Sequence, residues 1–199
     1  MTKNTLTKTD QRKENRRVRY TRMALRESLL SLLQEYPLNK ITVSRICEQA
    51  DVNRSTFYLY YKDAYDLLDQ IETGLYEQIS QAVEGASQVL PSEEMLQRIY
   101  EIIYKNRDIC RVIFGEFGDK TFLRKVGNIH RDHMLREWRR LAKNMDETTL
   151  GYLHTFAAFT NIGIMERWIT SDFHETPAQL ASLVSKLLNN GISPFFNRR

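Results

Sequence analysis

From Ile41 to Leu68 the chain reads ITVSRICEQADVNRSTFYLYYKDAYDLL, an order of residues that asks for two short helices joined by a tight turn. Thr42 stands where a helix cap belongs. Behind it Val43, Ile46, Cys47 and Ala50 share an inner face, while Ser44, Arg45, Glu48 and Gln49 point outward. Asp51-Val52-Asn53 makes the turn, with Val52 as an apolar plug between the helices and Asn53 placed to cap the next one. The second helix, expected over 54–61, buries Phe57 and presents Arg54, Ser55, Thr56, Tyr58 and Leu59 to differing degrees. One helix is built to be held and the other to be shown, and shown helices of this kind enter the major groove of DNA.

Charge is distributed to match. Residues 1–62 carry 13 Lys/Arg against 6 Asp/Glu, a balance of +7, whereas residues 63–199 carry 16 against 19, a balance of −3. The basic charge travels with the helix-turn-helix, which points to a polyanion partner, since phosphate neutralisation with counterion release supplies most non-specific DNA affinity. Within 42–62 the side chains divide by chemistry. Thr42 and Ser44 at a helix start, the phenols of Tyr58 and Tyr60, and Lys62 suit phosphates. Arg54 suits a guanine edge, and Ser55 and Thr56 suit either hydrogen-bonding role, with the threonine methyl available to a thymine methyl.

The rest of the chain reads as helix after helix. Only 8 Gly and 4 Pro interrupt 199 residues, and alternating β-branched runs are nearly absent. The expectation is an all-α protein of about nine helices. A polar, disordered basic arm spans 1–16, a three-helix DNA-binding domain 17–63, and a helical ligand and dimerisation domain 64–199. The boundary falls inside a helix. Leu25, Leu29, Leu32, Leu33 and Tyr36 form the stripe of the first helix, which Pro37 stops. A single long helix is expected over 121–144. Cys47 and Cys110 lack metal or disulfide spacing and read as small core residues of a reducing compartment. No apolar run suits a membrane span or a signal peptide, so a cytoplasmic protein without membrane partners is expected.

The run Ile41-Thr42-Val43…Ile46…Ala50-Asp51-Val52-Asn53-Arg54-Ser55-Thr56-Phe57-Tyr58-Leu59-Tyr60-Tyr61-Lys62-Asp63…Leu67-Leu68 resembles the DNA-binding signature of the TetR family of bacterial repressors. The resemblance covers about 50 residues, from Arg19 to Leu68, without a gap. It implies phosphate contacts for Thr42, Tyr58 and Lys62 and base-edge contacts for Arg54, Ser55 and Thr56. Two positions depart from the pattern. Asp51 stands where the turn glycine is usual, and Tyr60-Tyr61 replaces a His-Phe pair.

Further along, Tyr152…Phe156…Phe159…Gly163-Ile164…Trp168…Phe173…Pro177…Leu180-Ala181…Leu187-Leu188 is similar to a C-terminal subgroup that includes activators of dihydroxyacetone kinase operons. The resemblance implies that the last two long helices pair with those of a second copy. Phe159, Ile162, Leu180, Leu183, Val184 and Leu187 are the interface candidates. Phe114, Phe117, Trp138, Tyr152, Phe156, Met165 and Trp168 are candidates to line a pocket between the middle helices, although such stripes also serve as plain core. His130, His133 and Glu137 share a helix face without a further ligand at matching spacing, so no metal or other cofactor is expected. No GxSxG, HExxH, P-loop or GxGxxG occurs.

Together these readings predict a homodimeric regulator, not an enzyme. It would bind a palindromic operator on double-stranded DNA, act as a repressor, and respond to a small-molecule effector or protein partner through its C-terminal part. The alternative is a coactivator that keeps the fold but binds a protein partner and little DNA.

Overall fold

The computed structural model of the chain describes residues 8–84, 91–118, 120–129, 131–141 and 145–192. These hold ten α-helices, one 3-10 turn and no strand, so the all-α expectation holds. The chain forms two compact units that divide between Ile71 and Glu72.

The first unit begins with α1, Lys8–Leu33. This helix starts well before the expected Arg17, so residues 8–16 of the anticipated disordered arm are helical; residues 1–7 of that arm lie outside the described residues. The 3-10 turn Leu38–Lys40 follows Pro37, then come α2, Val43–Ala50, and α3, Arg54–Phe57. Helix α4, Ala64–Val83, crosses the division between the units. Leu25, Leu29, Leu32 and Leu33 of α1 are buried, as are Ile46, Cys47, Phe57, Leu67 and Ile71. Leaving water stabilises the fold by roughly 1.5–3 kcal/mol for each such large apolar side chain.

Asp51 ends α2 in the left-handed region, at φ 52° and ψ 46°. That geometry brings the Val52 N–H to the Cys47 carbonyl at 3.0 Å, the closing bond of a Schellman-type stop. Glycine is the usual residue there; aspartate adopts the same backbone at a moderate steric cost.

The second unit contains α5 (Glu93–Lys105), α6 (Arg107–Ile113), α7 (Lys120–Gly127), α8 (Arg131–Leu141), α9 (Glu147–Thr170) and α10 (Pro177–Ile192). Helix α10 packs on α5, and α9 packs against α6, α7, α8 and α10. The segment read as one helix over 121–144 is therefore two, with residues 142–144 outside the described residues. The break follows Gly127, where the Asn128 side-chain amide donates to the Arg124 carbonyl at 2.8 Å and closes the helix end. Gly127 is also tightly packed. A Cβ there would lie 3.0 Å from Ile162 Cδ1 and 3.3 Å from the Phe159 ring, so glycine lets α7 approach α9.

Asn53, expected to cap α3, makes no side-chain cap hydrogen bond, but three helix starts of the second unit are capped as their sequences suggest. Ser92 Oγ accepts from Met95 N at 3.1 Å, and Asp146 Oδ1 accepts from Thr149 N at 2.9 Å. Thr176 and Gln179 form a reciprocal capping box ahead of Pro177-led α10. An aromatic cluster surrounds Trp168, whose ring centre lies 4.9 Å from Phe173 and 5.8 Å from Tyr100, and whose Nε1 donates to the Glu175 carbonyl at 2.8 Å. Both cysteines are buried and unbridged.

Candidate nucleic-acid interface and regulatory cavity

In the first unit the anchor is Phe57. Its completely buried ring meets the Tyr58 ring edge-on at 5.6 Å and the Tyr61 ring at 5.5 Å. Regular α-helix ends at Phe57, shorter than the 54–61 expectation, and residues 58–60 continue as turns. Tyr60 N–H and Tyr61 N–H both reach the Phe57 carbonyl, at 2.9 and 3.0 Å, so the tightened turns still carry the tyrosines round the same axis.

Around this anchor the candidate contacts separate. Thr42, Ser44, Arg54, Ser55, Tyr58 and Lys62 are exposed; Tyr58 retains 52% of its surface. Thr42 Oγ1 accepts from Arg45 N at 3.3 Å, which makes it the cap of α2. Lys62 is fixed through its backbone: its N–H donates to Asp66 Oδ2 at 2.8 Å, and Gln70 Nε2 donates to Asp66 Oδ1 at 3.2 Å. The Lys62 N–H is the chief reason that the Asp66 carboxyl lies below the usual carboxylate range, with the Gln70 bond next. Thr56 and Tyr60 are half-buried, so less of each is presented than the sequence suggests. Thr56 lies next to the Phe57 anchor, and the Tyr60 ring leans edge-on against Tyr61 at 6.3 Å.

Leu59, expected among the presented residues, is 76% exposed beside Tyr58, the most open of the large apolar side chains among the described residues. Sequence reasoning passed over another part of this surface. On α1, Arg16 and Arg19 set their guanidiniums 5.5 and 6.0 Å from the ring centre of exposed Tyr20. The spacing 16, 19, 20, 23 is one helical face, a signal present in the sequence but read only as net charge. Arg45 is already engaged, 4.0 Å over the Tyr36 ring.

The second unit corrects the pocket expectation. A cavity of about 140 Å³ does exist, bounded by α4, α5, α7, α8 and α9. Its walls include Val83, Ile99, Ile129, Met134, Ile162 and Met165, with His133, Glu137 and Asn161 as the polar groups. Of the seven expected lining residues only Met165 is among them. Trp138 and Trp168 are fully buried core, and Phe114 is half-buried at the end of α6. Phe117, Tyr152 and Phe156 are exposed. Aromatic size was a poor guide because the cavity wall is made of aliphatic and small residues one helical step away, at Ala157, Ala158 and Asn161.

The interface expectation is also redistributed. Leu180 and Val184 are buried within the chain, on the face α10 turns inward, and Ile162 lines the cavity. Phe159, Leu183 and Leu187 remain exposed, joined by Tyr152 and Phe156. The 152, 156, 159 spacing is one stripe of α9, and a Cβ at Gly191 would meet the Phe156 ring at 3.3 Å, so the end of α10 lies beside that stripe.

His130 lies outside the described residues, and no group of three metal-ligating side chains occurs among those described. No described helix is long and apolar enough to cross a membrane.

An anchored, presented helix in a basic all-α unit, followed by a second helical unit with its own cavity, defines the class of helix-turn-helix transcriptional regulators. Residues 92–190 match the family described as "Transcriptional regulator C-terminal region", a TetR-type domain, and the chain belongs to the TetR family. It is 21% identical over 171 residues to the uncharacterized HTH-type transcriptional regulator YxbF of Bacillus subtilis (strain 168), which covers 83% of this chain and 44% of that one. The chain spans about half the length of the curated relatives it matches. Its fold is similar to that of the dihydroxyacetone kinase operon activator DhaS, with a TM-score of 0.59, 20% identity, and 89% and 98% of the two chains covered. It is likewise similar to the Bacillus subtilis transcriptional regulator FadR solved with stearoyl-CoA, with a TM-score of 0.61, 18% identity, and 85% and 98% covered.

Proposed function

We propose that the chain works as a homodimer that binds a two-fold symmetric operator and represses transcription from it until an effector enters the second-unit cavity. The observation that carries this reading is the exposure of Arg54, Ser55 and Tyr58 around a fully buried Phe57 in the basic part of the chain. Tyr58, Thr42, Ser44 and Lys62 would grip phosphates, with Tyr60 contributing its half-exposed edge; Arg54, Ser55 and Thr56 would read bases. Two-fold symmetry is supported by the apolar stripe of Tyr152, Phe156 and Phe159 beside Leu183 and Leu187, side chains whose exposure a second copy would remove. Effector control is supported by the cavity, and by the fold's likeness to FadR, a regulator solved with a bound stearoyl-CoA.

Footprinting on DNA selected from a random pool tests the reading. Two protected half-sites about one helical turn apart are expected, with affinity falling on added salt by roughly 0.9 log unit per log unit for each phosphate neutralised. Binding without a symmetric footprint, or without salt dependence, would overturn it.

A further inference from the structure

The cavity's chemistry narrows what the effector is, an inference that rests on the regulatory reading above. Its volume of about 140 Å³ is below the several hundred Å³ usual for drug-sized ligands and close to that of an apolar cavity that holds a single benzene. A long acyl chain does not fit this space.

Polarity sets the next constraint. Asn161 lines the cavity, and its Oδ1 accepts from the hydroxyl of fully buried Tyr100. The side-chain amide is thereby oriented. With Oδ1 engaged, Nδ2 is the donor that this amide offers to a ligand. Charge adds the third. Glu137 is paired with Arg140 at 3.0 Å, and Arg131, beside the His133 wall, is paired with Asp132 at 3.5 Å. A wall whose carboxylate is paired and whose amide is oriented favours a neutral guest with hydrogen-bonding capacity.

We propose that the cavity takes a compact neutral molecule, an apolar body about the size of one aromatic ring bearing a carbonyl or hydroxyl oxygen that Asn161 Nδ2 receives.

Thermal unfolding of the full chain with benzyl alcohol, toluene, benzoate and stearoyl-CoA tests this without DNA. Benzyl alcohol is expected to raise Tm saturably and to bind about fivefold tighter than toluene, the scale of one hydrogen bond, while benzoate and stearoyl-CoA leave Tm unchanged. Ala158→Leu, which fills the cavity, should abolish the benzyl alcohol shift. Asn161→Ala should keep toluene binding and erase the preference for the alcohol; it enlarges the cavity, so it serves if the filled variant does not fold. Stabilisation by stearoyl-CoA or benzoate in place of benzyl alcohol would overturn the proposal, as would a benzyl alcohol shift that survives both substitutions, or no shift with any probe. Failure here leaves the footprint intact, and failure of the footprint leaves these shifts intact, so the two readings fall separately.

Discussion

Arg22 donates from Nε to the Tyr61 hydroxyl at 3.2 Å, and its guanidinium carbon lies 5.8 Å from the centre of the same ring. One side chain of α1 therefore holds the turn that follows α3, both through the phenol oxygen and through the ring face. Tyr61 itself is only 5% exposed. Tyr61→Phe keeps the packing and removes the bond, so it should lower stability by about 1 kcal/mol in urea unfolding. Tyr61→Ala opens a cavity beneath α3 and should cost roughly 3–5 kcal/mol. Equal losses for the two would show that the ring contributes nothing.

That pair also shows where sequence was enough and where it was not. The replacement of a usual His-Phe by Tyr60-Tyr61 was visible, and so was the apolar stripe of α1 from Leu25 to Leu33, because local periodicity decides burial in a short three-helix unit. Which tyrosine went inward depended on Arg22, thirty-nine positions away, and no local pattern contains that distance. The cavity was missed for a related reason. Its walls come from five helices, and whether an aromatic such as Trp138 faces it or the core is settled by helix rotation, not by composition. The same small rotation moved Leu180 and Val184 inward while Leu183 and Leu187 stayed exposed.

At the α2–α3 turn, Asp51 occupies a left-handed backbone at φ 52°. Asp51→Gly relieves the Cβ and should leave stability unchanged or raise it by up to about 1 kcal/mol. Asp51→Val, whose branched side chain rarely tolerates this region, should lower it by roughly 1–2 kcal/mol. Chemical denaturation of both variants checks the order; a valine variant as stable as the glycine one would refute the strain argument.

On DNA, two exposed side chains of the same turn should behave differently. Tyr58→Phe removes an exposed phenol, the proposed phosphate donor, and should weaken binding by about fivefold on every sequence, leaving base preference unchanged. Arg54→Ala should instead flatten the preference at one base pair of each half-site, worth about 1–3 kcal/mol of discrimination. Competition binding against a panel of single-base variants separates the two. Uniform loss for Arg54→Ala would reassign that residue to the backbone.

For assembly, Leu187 and Phe159 are exposed on α10 and α9, while Leu188 beside Leu187 is buried. Leu187→Glu should turn a dimer into a folded monomer in sedimentation, because it places a charge in the apolar seam without touching the chain's own core. Leu188→Glu should unfold the second unit instead. If Leu187→Glu sedimented like the parent, the seam would not be the interface.

His154 is buried at 2% exposure, its Nε2 lacks a partner, and its pKa is held below the ordinary 6.5. Burial is the main cause; the nearby charge of Arg131 adds to it, and Asp132 opposes both. The folded state therefore binds this proton more weakly than the unfolded chain. As pH falls through the unfolded value near 6.5 the unfolded state is protonated first, and stability declines until the folded pKa is passed. His154→Leu removes that titration together with a buried unmet polar atom. It should flatten this part of the stability profile between roughly pH 7.5 and 5.5, and should raise stability at neutral pH by about 1–3 kcal/mol. Urea unfolding across that range measures both effects. A leucine variant with the parent's pH slope would locate the titration elsewhere, and one that lost stability at neutral pH would mean that the imidazole is already satisfied in the folded chain.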